Sequence, residues 1–209
     1  MRDGIFITIE GTDGSGKSTQ IKNIENYLIK RGYEVVLTRD PGGTLISESI
    51  RQIILNPDNT KMAKTTELLL YYAARAQLAE ELIKPALSEG KIVISDRYID
   101  STYVYQGFGR GFEKETIDSL NDISLSGVLP DITFFLDVSP MIALKRRFEA
   151  STLDRIENEK IDFHMKVYEG YKMLCNIFPE RIRRVDAAKS QNAVFQDIRA
   201  ILDESIHFK

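Results

Sequence analysis

The chain has 209 residues, 43% of them hydrophobic, enough to bury a core in a single domain. A formal net charge of -3 speaks against a nucleic-acid binder held by bulk positive charge, so any grip on phosphate has to be local. Its one cysteine, Cys175, has no partner for an internal disulfide or a cysteine-based metal site, and reads as a core residue of a protein from a reducing compartment.

Short apolar runs alternate with longer helical patterns along the chain. "GIFITIE" at 4–10 opens with a strand, and no signal-peptide layout precedes it. "GTDGSGKS" at 11–18 fits G-x-x-x-x-G-K-[ST] and sits between a strand and a helix, where that motif cradles a nucleoside triphosphate. Gly11, Gly14 and Gly16 let backbone N–H groups converge on phosphate oxygens, and the helix expected over 17–31 adds its N-terminal dipole. Lys17 is suited to bridge the β- and γ-phosphates and Ser18 to ligate Mg²⁺, with Thr12, Asp13, Ser15 and Thr19 completing the ATP loop. Asp13 is the oddity: a carboxylate in a loop built for anions.

A second strand over 34–39 ends at Arg39, followed by an Asp-Pro-Gly-Gly turn and a helix over 44–55. The long helical pattern over 64–88 holds "ELLLYYAARAQL", in which Tyr71 and Arg75 are four apart and face the same way. A flat ring can stack on a base and a guanidinium can bond a carbonyl at its edge; equally, such a pair is core packing plus a surface charge. The third strand, 91–95, runs into Asp96, a position suited to a carboxylate that organises Mg²⁺ or its water shell. Arg97, Ser101 and Tyr105 follow at intervals of four, which predicts one shared face on a helix near 98–107. Strands at 132–138 and 181–186, with helices at 113–125, 139–150, 160–178 and 190–205, complete the series.

This alternation predicts one α/β domain over 1–209, a five-stranded parallel sheet flanked by helices on both faces. Ligands of such sheets sit at the carboxyl ends of strands, here after Glu10, Arg39, Ser95 and Asp137. No linker or repeat divides the chain, and no apolar run approaches the roughly 20 residues needed to span a bilayer. Arg39 and Arg97, facing a triphosphate loop from two strand ends, suggest a second anion held in line with the first, so that the acceptor is itself a phosphate. Asn-Lys-x-Asp, the guanine reader of GTPase switches, does not occur.

The phosphate loop with Asp13, "RDPGGT", "LLLYYAARAQL", "SDRYIDSTYVYQGFGRG", "PDITFFLDV" and "LDRIE" occur in one order between residue 5 and about residue 170. Together they resemble the thymidylate kinases, members of the P-loop nucleoside monophosphate kinase family. The resemblance implies transfer of a phosphoryl group from ATP to dTMP, giving ADP and dTDP for dTTP biosynthesis. It also implies Mg²⁺, a homodimer, a cytoplasmic location, a mobile lid at about 146–155, and neither nucleic acid nor membrane as a partner. By position, Arg39 and Arg97 would hold the dTMP phosphate, Tyr71 would stack on thymine and Arg75 would bond its O4. Ser101 and Gln106 would complete the base contacts, Tyr105 would crowd the 2′ position, and Asp13 would reach the 3′-hydroxyl. "VDAAKS" at 185–190 would lie against adenine. Lys17 and Arg97 would be catalytic together with a lid arginine. Some relatives carry an arginine where this chain has Gly14, so the lid would supply the charge, from Arg147 first and Arg155 next. A deoxynucleoside kinase of the same architecture, and a nucleotide-binding module that has lost turnover, are the alternatives.

Overall fold

The computed structural model describes residues 4–148 and 154–205. Three strands rich in β-branched and aromatic residues, β1 (Ile5–Glu10), β3 (Ile92–Asp96) and β4 (Ile132–Asp137), are buried nearly throughout and take the centre of a sheet. β2 (Val35–Arg39) and β5 (Ile182–Asp186) alternate buried or half-buried with exposed positions and form its edges. The order is β2-β3-β1-β4-β5, with every pairing parallel. Because β1 lies between β3 and β4, the chain's crossovers leave it in opposite directions and a crevice opens at its carboxyl end. The register brings Arg39 and Ile9 opposite Asp96, so three strand ends reach the same rim.

α1 (Lys17–Lys30) and α9 (Gln191–Ser205) cover one face of the sheet. Their apolar stripes, among them Ile24, Leu28, Ile198 and Leu202, close over Ile7, Ile9, Ile94 and Phe134. The other face carries two clusters. Phe6 and Val93 pack with Leu78, Ile83 and Tyr98, while Phe135 packs with Tyr105, Phe163, Val167 and Tyr171.

The helices of that side are α2 (Leu45–Leu55), α3 (Lys64–Leu78), α4 (Lys84–Ser88), α5 (Ile99–Thr102) and α6 (Lys114–Ser124), with α8 (Ile161–Ile177) after α7 (Pro140–Phe148), whose Ala143 joins the cluster under α1 and α9. Thr44 caps α2 by accepting the Ser47 N–H. π-helical turns at Ala79–Ile83 and Tyr103–Gly109 join α3 to α4 and extend α5. The helical stretches expected at 64–88 and 98–107 are therefore continuous, each with one widened segment. Cys175 is half-buried on α8, and burial pushes its thiol up to about 11, consistent with its reading as packing. No described helix is long and apolar enough to cross a membrane.

Candidate active site

The β1–α1 loop joins strand to helix as its spacing predicts, and one of its glycines has a tertiary reason to be there. Gly14 has φ 83, and a Cβ built on it stands 2.0 Å from the carbonyl oxygen of Ala143 on α7. Only a residue without a side chain lets α7 lie on the loop, and no arginine fits at this position. Lys17 is 7% exposed and donates to the carbonyls of Gly11 and Thr12, both at 3.1 Å. Its Nζ lies 3.7 Å from the Asp13 carboxylate. Burial and the neighbouring Arg97 charge lower its pKa against the pull of Asp13.

Two cavities open at the rim. The larger, about 770 Å³, lies over Gly14 to Thr19 and is walled by Asp96, Arg146 and the 187–191 segment. The part of "VDAAKS" from Ala187 on, expected to lie against adenine, lines this cavity. The smaller, about 70 Å³, is lined by Tyr71, Arg75, Ser101, Tyr105 and Gln106. Asp154 and Ile156 close its far side. Four residues belong to both cavities: Asp13, Asp40, Arg51 and Arg97.

Arg97 is the centre of this shared wall. It precedes α5 with φ 71, a left-handed conformation that takes it off the helix, so the shared helix face expected for Arg97, Ser101 and Tyr105 does not form. Side-chain contacts bring them together instead. Nη2 donates to Asp13 Oδ1 at 2.8 Å, Nη1 donates to Tyr171 at 3.2 Å and to Ser101 at 3.4 Å, and the guanidinium lies 5.1 Å from the Tyr105 ring centre. Burial opposes ionisation of Asp13, but the Arg97 and Lys17 charges outweigh it and hold the carboxyl far below the usual range. Asp13 is an anion at the junction, held by Arg97.

Beneath Arg97 lies Glu10, which the sequence offers only as a strand end. It is fully buried and accepts from the Tyr98 N–H (2.8 Å), Ser101 Oγ (2.6 Å) and the Tyr171 hydroxyl (2.7 Å). Burial and nearby Asp100 push its pKa up to about 7 against the pull of Arg97. A glutamate ending an apolar strand beside a phosphate loop was the available signal. The Ser101 hydroxyl, expected to touch the base, is engaged by Glu10 and Tyr171.

Arg75 is 1% exposed, far from the surface charge that helical spacing allowed. Nε binds Asp40 Oδ2 at 2.5 Å and Nη2 binds Thr102 Oγ1 at 2.7 Å, while Nη1 has no partner. The buried Tyr105 hydroxyl is also unpartnered. Tyr71 and Gln106, which the resemblance puts at the base, also line the small pocket.

Arg39 departs from expectation. It is 54% exposed, forks onto Glu48 (2.8 and 3.0 Å), and lines only the larger of the two cavities. Arg51, which no sequence pattern singled out, joins Arg97 in the shared wall and donates to the Pro41 carbonyl at 2.7 Å. On an amphipathic helix its spacing is that of any solvated charge.

Of the segment expected as a lid, residues 149–153 lie outside the described residues, and so does the side chain of Arg147 near the end of α7. Arg146 lines the larger cavity and donates to the Ala187 carbonyl at 3.4 Å. Arg155 is 11% exposed and occupied elsewhere, with Nε on the Ile54 carbonyl at 2.7 Å and Nη2 2.8 Å from Glu67.

Asp96 and Ser18 both line the larger cavity, and Asp96 Oδ1 is buried without a partner. Among the described residues no group of three or more His, Cys, Asp or Glu could form an all-protein cage. One carboxylate and one hydroxyl beside a phosphate cradle suit Mg²⁺, which keeps waters and shares its sphere with substrate phosphates.

With this geometry in view, the model of the family described as "Thymidylate kinase" matches residues 9–198. The chain belongs to the thymidylate kinase family. It is 48% identical over 195 residues to a thymidylate kinase of Thermoanaerobacter sp. (strain X514), covering 93% of this chain and 95% of that one. It is 44% identical over 204 residues to a thymidylate kinase of Clostridium novyi (strain NT), covering 97% and 100%. The crystal structure of thymidylate kinase from Ehrlichia chaffeensis superposes with a TM-score of 0.78 at 35% identity, covering 96% of this chain and 99% of that one. This family membership covers both cavities.

Proposed function

We propose that the chain phosphorylates dTMP to dTDP with ATP by in-line transfer. The observation that carries the proposal is the shared wall: a triphosphate cradle and an aromatic pocket meet at Asp13, Arg51 and Arg97. Phosphoryl transfer needs alignment and charge stabilisation more than covalent help, and two guanidiniums at the junction supply both. In this reading the loop from Gly11 to Thr19 holds the ATP phosphates, and Lys17 turns from the loop carbonyls to the β- and γ-oxygens. Arg97 and Arg51 grip the acceptor phosphate, and Arg39 joins them once released from Glu48. Tyr71 stacks on the base, Arg75 bonds O4 through its free Nη1, and Tyr105 disfavours a 2′-hydroxyl. Asp13 accepts from the 3′-hydroxyl. Asp96 and Ser18 would hold Mg²⁺, which when bound neutralises charge on the phosphates.

A charge on the transferring group comes in this reading from the end of α7, where Arg146 already faces the cavity and Arg147 is its neighbour. Arg155, tied to Glu67, serves the acceptor side.

We place the reaction in the cytoplasm and the enzyme in a homodimer. Ile46 and Ile53 on α2 are seven apart and 54% and 48% exposed, and Leu69 on the adjoining α3 is 51% exposed, an apolar face of the kind a second copy covers. Sedimentation of the purified chain tests this, and a monomer at micromolar concentration refutes it.

ADP release measured with dTMP, dUMP, thymidine, dCMP and AMP tests the function. dTMP is expected to give the highest kcat/KM. A preference for thymidine would make the chain a nucleoside kinase, and ATP binding without dTMP-dependent turnover would make it a binding module.

A further inference from the structure

Glu67 stands on α3 behind the small pocket, and the proposed reaction gives it no task. It is 1% exposed and surrounded by donors. Arg110 donates Nε to Oε1 and Nη2 to Oε2, both at 3.0 Å, Gln106 donates Nε2 to Oε1 at 3.0 Å, and Arg155 Nη2 lies 2.8 Å from Oε2. Burial opposes ionisation, but the hydrogen bonds from Arg110 and Gln106 and the Arg110 charge overcome it and hold the carboxyl below its ordinary range. Glu67 is therefore a carboxylate.

An ionised carboxylate accepts hydrogen bonds and has none to give. The Gln106 amide has to turn its NH₂ edge to Glu67, an orientation forced by chemistry even though the two edges look alike. Its Oε1 accepts no hydrogen bond among the described residues and is left to the pocket that Gln106 lines. Thr102, four residues earlier on the same helical stretch, binds Arg75, whose buried Nη1 is an unpaired donor on that pocket. The pocket lining thus holds both a donor and an acceptor. Thymine carries the complement, an O4 acceptor beside an N3–H donor. Cytosine carries the reverse, an amino group beside an unprotonated N3.

We propose that Glu67 is a specificity-determining positioning residue: by holding the Gln106 amide with Oε1 toward the pocket, it makes the pocket accept the N3–H edge of a 4-oxopyrimidine and reject cytosine. This rests on the smaller pocket being the dTMP site. Uracil shares the same edge, so Glu67 does not separate dTMP from dUMP.

Glu67→Gln tests it. The new side-chain NH₂ avoids the Oε2 side, where two arginines point nitrogens, and settles on the Oε1 side, which faces one Arg110 nitrogen and the Gln106 amide. There Gln106 can turn to meet it with its own oxygen, which leaves an NH₂ edge facing the pocket. The ratio of kcat/KM for dTMP over dCMP is expected to fall roughly tenfold or more, with dUMP moving as dTMP does. Arg75 keeps its preference for an oxygen at position 4, so part of the discrimination survives. Glu67→Asp still only accepts, and is expected to keep the ratio within about threefold even where Tm drops. Gln106→Leu removes the reading edge itself and is expected to lower the ratio as E67Q does, with no further loss when the two are combined. An unchanged ratio in E67Q, an equal loss in E67D, or, should E67Q fail to fold, an unchanged ratio in Q106L overturns the proposal. A wild-type enzyme that does not prefer dTMP to dCMP overturns instead the assignment of the pocket.

Discussion

The two cavities that meet at Arg97 are made of different material. The floor of the larger one is backbone: the loop's N–H groups and the first turn of α1 form it, and its volume of about 770 Å³ stands open. The smaller one is made of side chains tied to one another, with Arg75 on Asp40 and Gln106 on Glu67, and encloses only about 70 Å³. Ligand pockets usually hold a few hundred Å³ or more, so a nucleotide enters the second cavity only if a wall moves. Asp154 and Ile156 are the candidates, because they close its far side from outside any helix or strand. A donor site built of backbone is ready before its ligand arrives, whereas an acceptor site built of ion pairs orients its ligand strictly and has to open for it.

Removing Asp13, which belongs to both cavities, is the strongest way to separate them. Asp13→Ala frees Arg97 of its fixed partner and is expected to raise KM for dTMP roughly 10–100-fold while KM for ATP moves only a few-fold. Steady-state kinetics with each substrate varied in turn decides it, and a larger effect on ATP would refute the placement of Asp13 on the acceptor side.

Gly14→Ala strikes the backbone site alone. A Cβ 2.0 Å from the Ala143 carbonyl, at φ 83, forces α7 off the loop. We expect a loss of about 2 kcal/mol or more in stability and a higher KM for ATP, with the affinity for dTMP little changed. Wild-type Tm and KM in this variant would show that α7 does not need to rest on Gly14.

The smallest effect belongs to Glu10, below both cavities. Its folded pKa of about 7 lies above the ordinary 4.5, so the folded protein keeps a proton that the unfolded chain releases in between. That contribution is complete below pH 4.5 and disappears as pH rises through 7. Between pH 5 and 8 the wild type should therefore lose roughly 5 °C of Tm relative to Glu10→Gln. Parallel Tm curves for the two proteins would remove Glu10 from the titration.

Much of this molecule is legible along the chain. The strand expected at 91–95 is found at Ile92–Asp96 and the one at 132–138 at Ile132–Asp137, because nearly unbroken apolar runs between helices leave little choice of element. The phosphate loop is equally plain, since its chemistry is local and its spacing is fixed by the turn. Arg51, Glu10 and Glu67 escaped notice for one reason. Glu67 and Glu10 act through partners 39 or more positions distant, such as Gln106 and Tyr171, Arg51 meets Arg97 only across the fold, and nothing beside them in sequence differs from an ordinary helix or strand end.

The sequence by itself determined the parallel sheet, the phosphate loop and the kind of reaction, because each rests on patterns contained within one element and the turn after it. Tertiary structure alone decided which arginines share the junction, why residue 14 has no side chain, and which edge Gln106 can show to a base. Those outcomes depend on distant groups competing for the same buried space, and a buried polar atom takes its meaning from the partner that the fold brings to it.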